Sequence, residues 1–253
     1  MLPDNARAFL GADAISFSEL SSLAVCEKRW CLQYGPEKQP KDRGTGAMWL
    51  GTEFHRLYEH WWHTGEILPS EMPKASWLID RYSRYYAGEC GKVRMIGTEV
   101  PFAVRMAWGP YLFGYLDSIF EVKTGPYRGL WVGECKTMDN WSRLKQLPVD
   151  MQVTLYGIAA RLSGVPVRGV MFDAIRSYQW KVERPLAESF ERQWIERTPE
   201  QEADALAELM AATSVRRQLM AGERRPLRAI GMGCGTCRVK VACYGLGVEL
   251  LPE

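Results

Sequence analysis

Three consecutive strand-like segments constrain the fold of this chain more than any other feature of its sequence. Residues 96–107, 111–122 and 130–138 are apolar or alternate between apolar and polar side chains, with glycine and proline between the segments. Such segments predict β-strands that neighbour one another in a sheet. Helical periodicity precedes them at 47–64 and returns at 146–164. The chain is therefore predicted to form an α/β domain with helical flanks.

Capping residues and further periodic segments place the remaining elements. Ser16 and Ser18 are candidate N-caps, with Glu19 three residues after Ser16, and Gly164 suits a helix C-terminus. The same patterns predict helices over residues 16–34, 74–90 and 199–222, and strands over 166–177 and 178–183. We expect a single domain over 1–253, with a helical part at 1–95, a core at 96–185, and a last helix with a cysteine-rich tail at 186–253.

The bulk composition is that of an ordinary globular protein. The chain has 253 residues, of which 47% are hydrophobic and 25% charged, and its net charge is +2. So small a charge does not by itself indicate nucleic-acid binding, which would need locally clustered cations. We find no apolar stretch as long as a membrane span and no secretory signal. We therefore expect a cytoplasmic protein that does not associate with membranes.

The sequence GLWVGECKTM, residues 129–138, places an acid and a base in a strand that otherwise reads as buried. Side chains two positions apart in a strand share a face, so Glu134 and Lys136 point one way and Cys135 the other. The preceding strand carries Asp117, which pairing would bring beside Glu134. Two adjacent carboxylates repel unless one is protonated or a cation lies between them, and their oxygens suit Mg²⁺ or Mn²⁺. The alternative is a solvated strand end with a weak Glu–Lys ion pair.

The arrangement GYLD, followed after 16 residues by ECK, resembles the core motif of the PD-(D/E)XK nuclease superfamily. GTEFHRLYE (51–59) resembles the helix of the RecB-like branch that carries a metal-ligating histidine, here His55. QVTLY (152–156) resembles the Q-x-x-x-Y helix of the same branch. The resemblance spans residues 16–183 in the family order. It implies a restriction-endonuclease-like αβββαβ core with a mixed sheet, and a metal-dependent DNA nuclease.

The resemblance also implies a role for each motif residue. The groups that would hold one or two Mg²⁺ or Mn²⁺ ions are His55, Asp117, Glu134 and the backbone carbonyl of Cys135. Lys136 would position the attacking water, and Gln152 and Tyr156 would steady the substrate or Lys136. From the residues alone, Gln152 and Tyr156 could equally be the polar edge of a packed helix.

Other polar residues near these motifs are expected to be structural. His60 and His63 lie on the same helix as His55 and are interpreted as capped or half-exposed core residues. Glu99 lies on a predicted strand and could face the site, but a solvated strand-end glutamate is the favoured interpretation.

Clustered cysteines indicate a second metal site. CGTCRVKVAC has C-x2-C-x5-C spacing, and three thiolates need a fourth ligand. The early helix offers Cys26 or Cys31. The resemblance to the AddB nuclease domain and to the exonuclease of CRISPR adaptation selects Cys26 and implies a [4Fe–4S] cluster, with a structural Zn²⁺ ion as the alternative. The resulting ligands are Cys26, Cys234, Cys237 and Cys243, while Cys90 and Cys135 are interpreted as buried thiols.

The expected partner is DNA, either single-stranded or with free ends. Cations and an aromatic ring that could contact it are Trp141, Arg143, Lys145, Arg216 and Arg217. By analogy with the cluster-containing relatives, we expect exonuclease activity. The alternatives are a structure-selective endonuclease or flap nuclease, a zinc-stabilised interaction module, and a non-catalytic DNA-end-binding subunit. Protein partners in a recombination, repair or adaptation complex would fit these readings.

Overall fold

The computed structural model describes residues 10–11, 13–38, 46–89, 91–139, 141–178, 185–231, 234–235 and 237–245. The chain divides into two compact units. The first unit comprises Met1–Leu2, Gly44–Phe102 and Tyr115–Ala205, and the second comprises Pro3–Arg43, Ala103–Gly114 and Leu206–Glu253. Among the described residues, no helix combines the length and the apolar character needed to cross a membrane.

Helices and strands follow one another broadly as the sequence patterns indicate. The helices are α1 (Phe17–Val25), α2 (Glu27–Gln33), α3 (Gly46–Thr64), α4 (Pro73–Tyr86), α5 (Met151–Leu162), α6 (Pro199–Ala221) and α7 (Lys240–Tyr244). The strands are β1 (Ile15–Ser16), β2 (Val93–Arg105), β3 (Tyr111–Val122), β4 (Gly129–Met138), β5 (Val167–Arg176) and β6 (Phe190–Ile195). Short 3₁₀ segments cover Ala87–Glu89, Trp141–Val149 and Leu186–Glu188.

The first unit is an α/β fold built on a mixed, open sheet. In it, β3 and β4 are antiparallel, β4 and β5 are parallel, and β6 is antiparallel to β5. The connection between the parallel strands β4 and β5 contains α5, because parallel neighbours need a long crossover. Strand β2 also pairs with β3. In the second unit, β1 pairs in parallel with the first residues of β3, with Ile15 opposite Leu112. The predicted α/β class and mixed sheet are confirmed.

Several predicted boundaries agree closely with the structure. Strands β3 and β4 match two predicted strands to within one residue, and β2 begins three residues before and ends two residues before the strand predicted over 96–107. Ser16 caps α1: its hydroxyl accepts the Glu19 N–H at 3.3 Å, and the Glu19 carboxylate accepts the Ser16 N–H at 3.2 Å. Gly164 follows α5 with a φ of 88°, which glycine adopts without strain. Local capping chemistry therefore sets these helix ends.

Other predicted elements differ from the structure. The helix predicted over 16–34 breaks at Cys26, whose extended backbone ends α1 and whose sulfur caps α2. The helix predicted from residue 146 begins as a 3₁₀ segment containing Pro148, which has no N–H to donate. Residues 179–183 of the strand predicted over 178–183 lie outside the described residues. Strand β6 is absent from the predicted elements, because charged residues interrupt its alternation.

Helix α3 is held against the sheet by one aromatic face. Phe54, Leu57, Tyr58 and Trp61 recur at helical spacing and are buried. They belong to one core cluster with side chains of α4 and with Phe120 and Trp131 of the sheet. Fully burying such a side chain contributes about 1.5–3 kcal/mol. This core fixes α3 on β4, and so fixes the polar side chains that α3 carries toward the sheet.

Candidate active site

The register of β3 and β4 brings the two strand carboxylates to the same place. Ser118 pairs with Gly133 in the antiparallel ladder, so Asp117 and Glu134 occupy the next opposed positions and share a face. Glu134 is only 1% exposed. Lys136 Nζ lies 2.6 Å from Glu134 Oε1 and 3.9 Å from Asp117 Oδ2. One ammonium group therefore contacts both carboxylates.

Gly133 permits this close pairing because it has no side chain. A Cβ atom there would lie 2.2 Å from Ser118 Oγ and 2.4 Å from Phe120 Cε2, both on the partner strand. Any larger residue would push β3 and β4 apart. The glycine immediately before Glu134 thus maintains the spacing on which the carboxylate pair depends.

Helix α3 adds an imidazole to the site. His55 Nε2 lies 2.8 Å from the Cys135 carbonyl oxygen, and His55 Nδ1 lies 3.9 Å from Asp117 Oδ2. One turn earlier, the position of a Cβ on Gly51 would be 3.6 Å from Thr137 Oγ1, so the helix approaches β4 closely at this point. The structure therefore places His55, Asp117, Glu134, the Cys135 carbonyl and Lys136 together, as the motif residues would require.

Electrostatics keep Lys136 charged. Burial disfavours its ammonium form, but the charges of Glu134 and Asp117 outweigh burial and raise the pKa of Lys136 above its ordinary value. At neutral pH this side chain is a cation that balances two carboxylates. It is therefore suited to orient a water or a phosphate oxygen by charge, and less suited to remove a proton.

Helix α5 covers the same face with a buried polar pair. Gln152 Nε2 donates to the Tyr156 hydroxyl at 3.0 Å, and both side chains are largely buried. Burial raises the pKa of Tyr156, and the nearby Glu134 carboxylate raises it further. Tyr156 therefore stays protonated and lies within the electrostatic influence of Glu134. The predicted pair thus adjoins the carboxylate site.

Two further carboxylates, Glu59 and Glu99, line a pocket beside His55. The pocket measures about 380 Å³ and is lined by Gly51, Thr52, His55, Arg56, Glu59 and Glu99. Burial, with the charges of Glu99 and Asp117, raises the pKa of Glu59 to about 7. The Glu99 backbone has a φ of 45°, which non-glycine residues rarely adopt. Repelling carboxylates and backbone strain of this kind occur often at functional sites.

The sequence contained a signal for Glu59 that the motif reading did not use. Glu59 is the last residue of GTEFHRLYE and follows His55 by four positions, which places the two side chains on one helical face. Glu99 was expected to be solvated at a strand end. The structure leaves its side chain exposed but places it in the lining of the His55 pocket.

The chemical groups around Asp117 and Glu134 are of the types that bind a hard divalent ion. Among the described residues, no three histidine, cysteine, aspartate or glutamate side chains converge closely enough to form a ready-made metal site. Carboxylate oxygens, a backbone carbonyl and an imidazole nevertheless lie within a few ångströms of one another. Such donors fit Mg²⁺ or Mn²⁺. The Lys136 ammonium group balances part of the negative charge of these carboxylates.

The second unit gathers the four predicted cysteine ligands. Cys26, Cys234, Cys237 and Cys243 line one cavity of about 320 Å³. The Cys26 sulfur accepts N–H groups from Arg29 and Ala229, each at 3.5 Å. Cys31 instead is 2% exposed within the small core of this unit, and Cys90 lies outside the described residues. The four cysteines share one cavity lining, although among the described residues no three of them lie close enough to form a ready-made metal site.

The predicted DNA-contacting residues have different environments. The Trp141 ring lies 4.4 Å from the Arg176 guanidinium, and Lys145 and Arg217 are exposed. The Arg143 side chain is outside the described part of the chain. Arg216 is 3% exposed, 3.7 Å from Glu19 and stacked near Trp30. The structure does not support a DNA contact by Arg216, because its guanidinium is buried in an ion pair.

Comparisons with known proteins agree with this geometry. A family model of the PD-(D/E)XK nuclease superfamily matches residues 14–244. A crystal structure from Eubacterium rectale, named "Putative exonuclease", is similar with a TM-score of 0.63 and 15% sequence identity, over 100% of this chain and 96% of that chain. No curated protein matches the sequence. At this identity, the solved structure indicates a shared fold.

Proposed function

The chain belongs to the PD-(D/E)XK nuclease superfamily, and on this premise we propose that it is a divalent-metal-dependent deoxyribonuclease. The observation that carries the proposal is the contact of one lysine with two strand carboxylates. Lys136 Nζ lies 2.6 Å from Glu134 and 3.9 Å from Asp117, with His55 a further 3.9 Å from Asp117. The spacing of these two acids and one base in the sequence resembles the superfamily motif, and their proximity supports the proposal.

The residues that would hold the ion are Asp117, Glu134, His55 and the Cys135 carbonyl. Their hard oxygen donors and single imidazole suit Mg²⁺ or Mn²⁺. A bound divalent ion supplies a more acidic water and neutralises charge on the scissile phosphate. Glu59 and Glu99, on the pocket side of His55, increase the negative potential that favours a cation there.

The remaining residues would orient the reacting groups. Lys136, kept as an ammonium by its carboxylate neighbours, would hold the attacking water or a phosphate oxygen in place. The buried hydrogen bond between Gln152 and Tyr156 fixes the tyrosine hydroxyl near Glu134. The Gln152–Tyr156 pair would thereby restrict the Lys136 side chain to one orientation. Fixed orientation of this kind accounts for a large part of catalysis in hydrolytic sites.

We further propose that the substrate is DNA with a free end, preferably single-stranded, and that cleavage is exonucleolytic. The similar Eubacterium rectale structure carries the name of an exonuclease, which favours this mode. Exposed Lys145 and the stacked pair of Trp141 and Arg176 belong to the same unit as the carboxylates. A cation beside an aromatic ring suits phosphate and base binding.

A digestion assay tests the proposed function. With Mn²⁺ or Mg²⁺, the purified protein is expected to degrade linear single-stranded DNA progressively and to leave circular single-stranded DNA intact. EDTA is expected to stop the reaction. Cleavage of the circular substrate would identify an endonuclease instead. Binding of DNA ends without cleavage under any metal would support the non-catalytic subunit.

The four-cysteine cavity is proposed to hold a [4Fe–4S] cluster. The support is that Cys26, Cys234, Cys237 and Cys243 line one cavity, and that the Cys26 sulfur accepts two backbone N–H groups. Closing a link between residues so far apart in sequence would stabilise the outer helices of the second unit.

Metal analysis of two cysteine variants tests the proposed cluster. Anaerobically purified protein is expected to be brown and to contain iron. Cys234→Ala should lose most of that iron, whereas Cys31→Ala, the control, should retain it because Cys31 lies in the apolar core. Zinc in place of iron would establish the alternative metal. Equal metal content in both variants would contradict a site at these cysteines.

A further inference from the structure

Helix α3 is attached to the sheet by two polar contacts three residues apart. His55 contacts the Cys135 carbonyl of β4 at 2.8 Å. Tyr58 donates its hydroxyl to Asp173 Oδ2 of β5 at 3.1 Å. Cys135 and Asp173 are direct partners in the parallel β4–β5 ladder. The two contacts therefore join one turn of the helix to one rung of the sheet.

Asp173 is a rigid acceptor for this attachment. It is 1% exposed and receives Arg192 Nε at 2.5 Å and Arg192 Nη2 at 2.8 Å. Tyr82 of α4 also donates to Asp173, at 2.6 Å. Arg192 is stacked against the Tyr86 ring at 4.2 Å. Because each partner is buried and held from several directions, the position of Asp173 is closely determined.

We propose that Tyr58 is a positioning residue of the active site: its bond to Asp173 fixes the rotation of α3 and thereby the place of His55. Side chains three positions apart on a helix are neighbours, about 5–6 Å between Cβ atoms. A small rotation of α3 would move His55 relative to Asp117 and the Cys135 carbonyl. The packed aromatic face of α3 already limits such a rotation, although its individual contacts are not directional. A hydrogen bond to a fixed carboxylate resists it.

The inference rests on the proposed function, since it concerns the groups that would hold the divalent ion. Tyr58 itself contacts none of Asp117, Glu134 or Lys136 through any hydrogen bond described in the structure. Residues that orient metal ligands in this way typically change metal affinity by about 10–100-fold when replaced. The effect on metal binding is therefore separable from an effect on the stability of the fold.

Tyr58→Phe and Tyr82→Phe form a matched pair for the test. Both changes remove one hydroxyl that donates to Asp173 Oδ2, but Tyr58 lies one turn from His55 on the same helix, whereas the Tyr82 hydroxyl meets that helix at Trp62, two turns from His55. Tyr82 is the more demanding control for stability, because its hydroxyl also accepts from Trp62 at 3.3 Å and Arg192 at 3.0 Å. If Tyr58 acts by positioning His55, Tyr58→Phe should mainly lower metal affinity, whereas Tyr82→Phe should mainly lower the stability of the fold.

The experiment measures Mn²⁺ binding by calorimetry and urea unfolding in EDTA for the full-length protein. Tyr58→Phe is expected to weaken Mn²⁺ binding about tenfold with little loss of stability. Tyr82→Phe is expected to lower stability more and to leave Mn²⁺ affinity within about twofold of wild type. In a background of His55→Ala, adding Tyr58→Phe should cause no further loss of affinity, because Tyr58 acts through His55.

Equal Mn²⁺ affinity in wild type and Tyr58→Phe would overturn the inference, as would equal losses in the two tyrosine variants. A further loss on the His55→Ala background would also overturn it. The proposed function fails separately, through a wild-type protein that neither binds Mn²⁺ nor cleaves DNA. A wild type that does both, with Tyr58→Phe unchanged, refutes only the role of Tyr58.

Discussion

Replacement of Glu134 by glutamine is expected to reduce DNA cleavage by on the order of 10³-fold or more. Glutamine preserves the size of the side chain and removes the charge that faces Lys136 at 2.6 Å. One of the two carboxylates proposed to hold the ion is then lost. Lys136→Met should have an effect of similar size, because it removes the only ammonium that the structure places against both carboxylates among the described residues. Initial rates on linear single-stranded DNA with saturating Mn²⁺ measure both effects.

A matched control distinguishes the loss of an active-site charge from the general effect of removing a carboxylate from the sheet. Glu121 lies on β3, the strand that carries Asp117, and pairs with Arg94 at 2.9 Å on the surface. Glu121→Gln removes one carboxylate from the same sheet and should leave the cleavage rate within about twofold, as exposed ion pairs contribute little. The circular dichroism spectrum should be unchanged in all three variants. Wild-type rates in both Glu134→Gln and Lys136→Met would refute the catalytic assignment.

The strand carboxylates are predictable from sequence because their positions depend on local geometry. Alternation along a strand places Glu134 and Lys136 on one face, and a short connection makes β3 and β4 antiparallel neighbours. Asp117 is then opposed to Glu134 by register. The role of His55 could be predicted only from the order of motifs in the family, because the sequence of α3 does not indicate which strand its histidine contacts.

Features that depend on distant partners could not be predicted. Arg216 looked like a phosphate-binding cation, but it is buried beside Glu19, roughly two hundred residues earlier in the chain. The pocket formed by Glu59 and Glu99 joins a helix and a strand whose relative placement no local pattern gives. The pairing of Asp173 with Arg192 likewise joins β5 to a strand that was not predicted. Sequence patterns predict the face of a helix or strand on which a side chain lies. The residues that it contacts depend on the tertiary structure.

Asp173→Ala is expected to lower the free energy of unfolding by about 3–5 kcal/mol. The change leaves Arg192, whose side chain is only 6% exposed, without the buried carboxylate that it contacts through two nitrogens, and with the more exposed Glu89 carboxylate at its third nitrogen. It also removes the acceptor of the Tyr58 and Tyr82 hydroxyls, which are fully buried. Removing the buried partner is costly because little solvent reaches the guanidinium and Glu89 contacts only one of its nitrogens. Urea denaturation in EDTA measures the loss without any contribution from a divalent ion.

Two further variants decide whether the loss comes from the buried charge. Asp80→Ala removes an aspartate from an exposed pair with Arg84 at 2.7 Å, and should cost less than about 1 kcal/mol. The double change of Asp173→Leu with Arg192→Met should recover part of the stability lost in Asp173→Ala, because it removes the largely buried guanidinium together with its buried partner. A double variant less stable than Asp173→Ala would mean that the packing of Arg192 on Tyr86 matters more than its charge. A loss below about 1 kcal/mol in Asp173→Ala would instead mean that water reaches Arg192, and that the anchor beneath α3 is weaker than its contacts indicate.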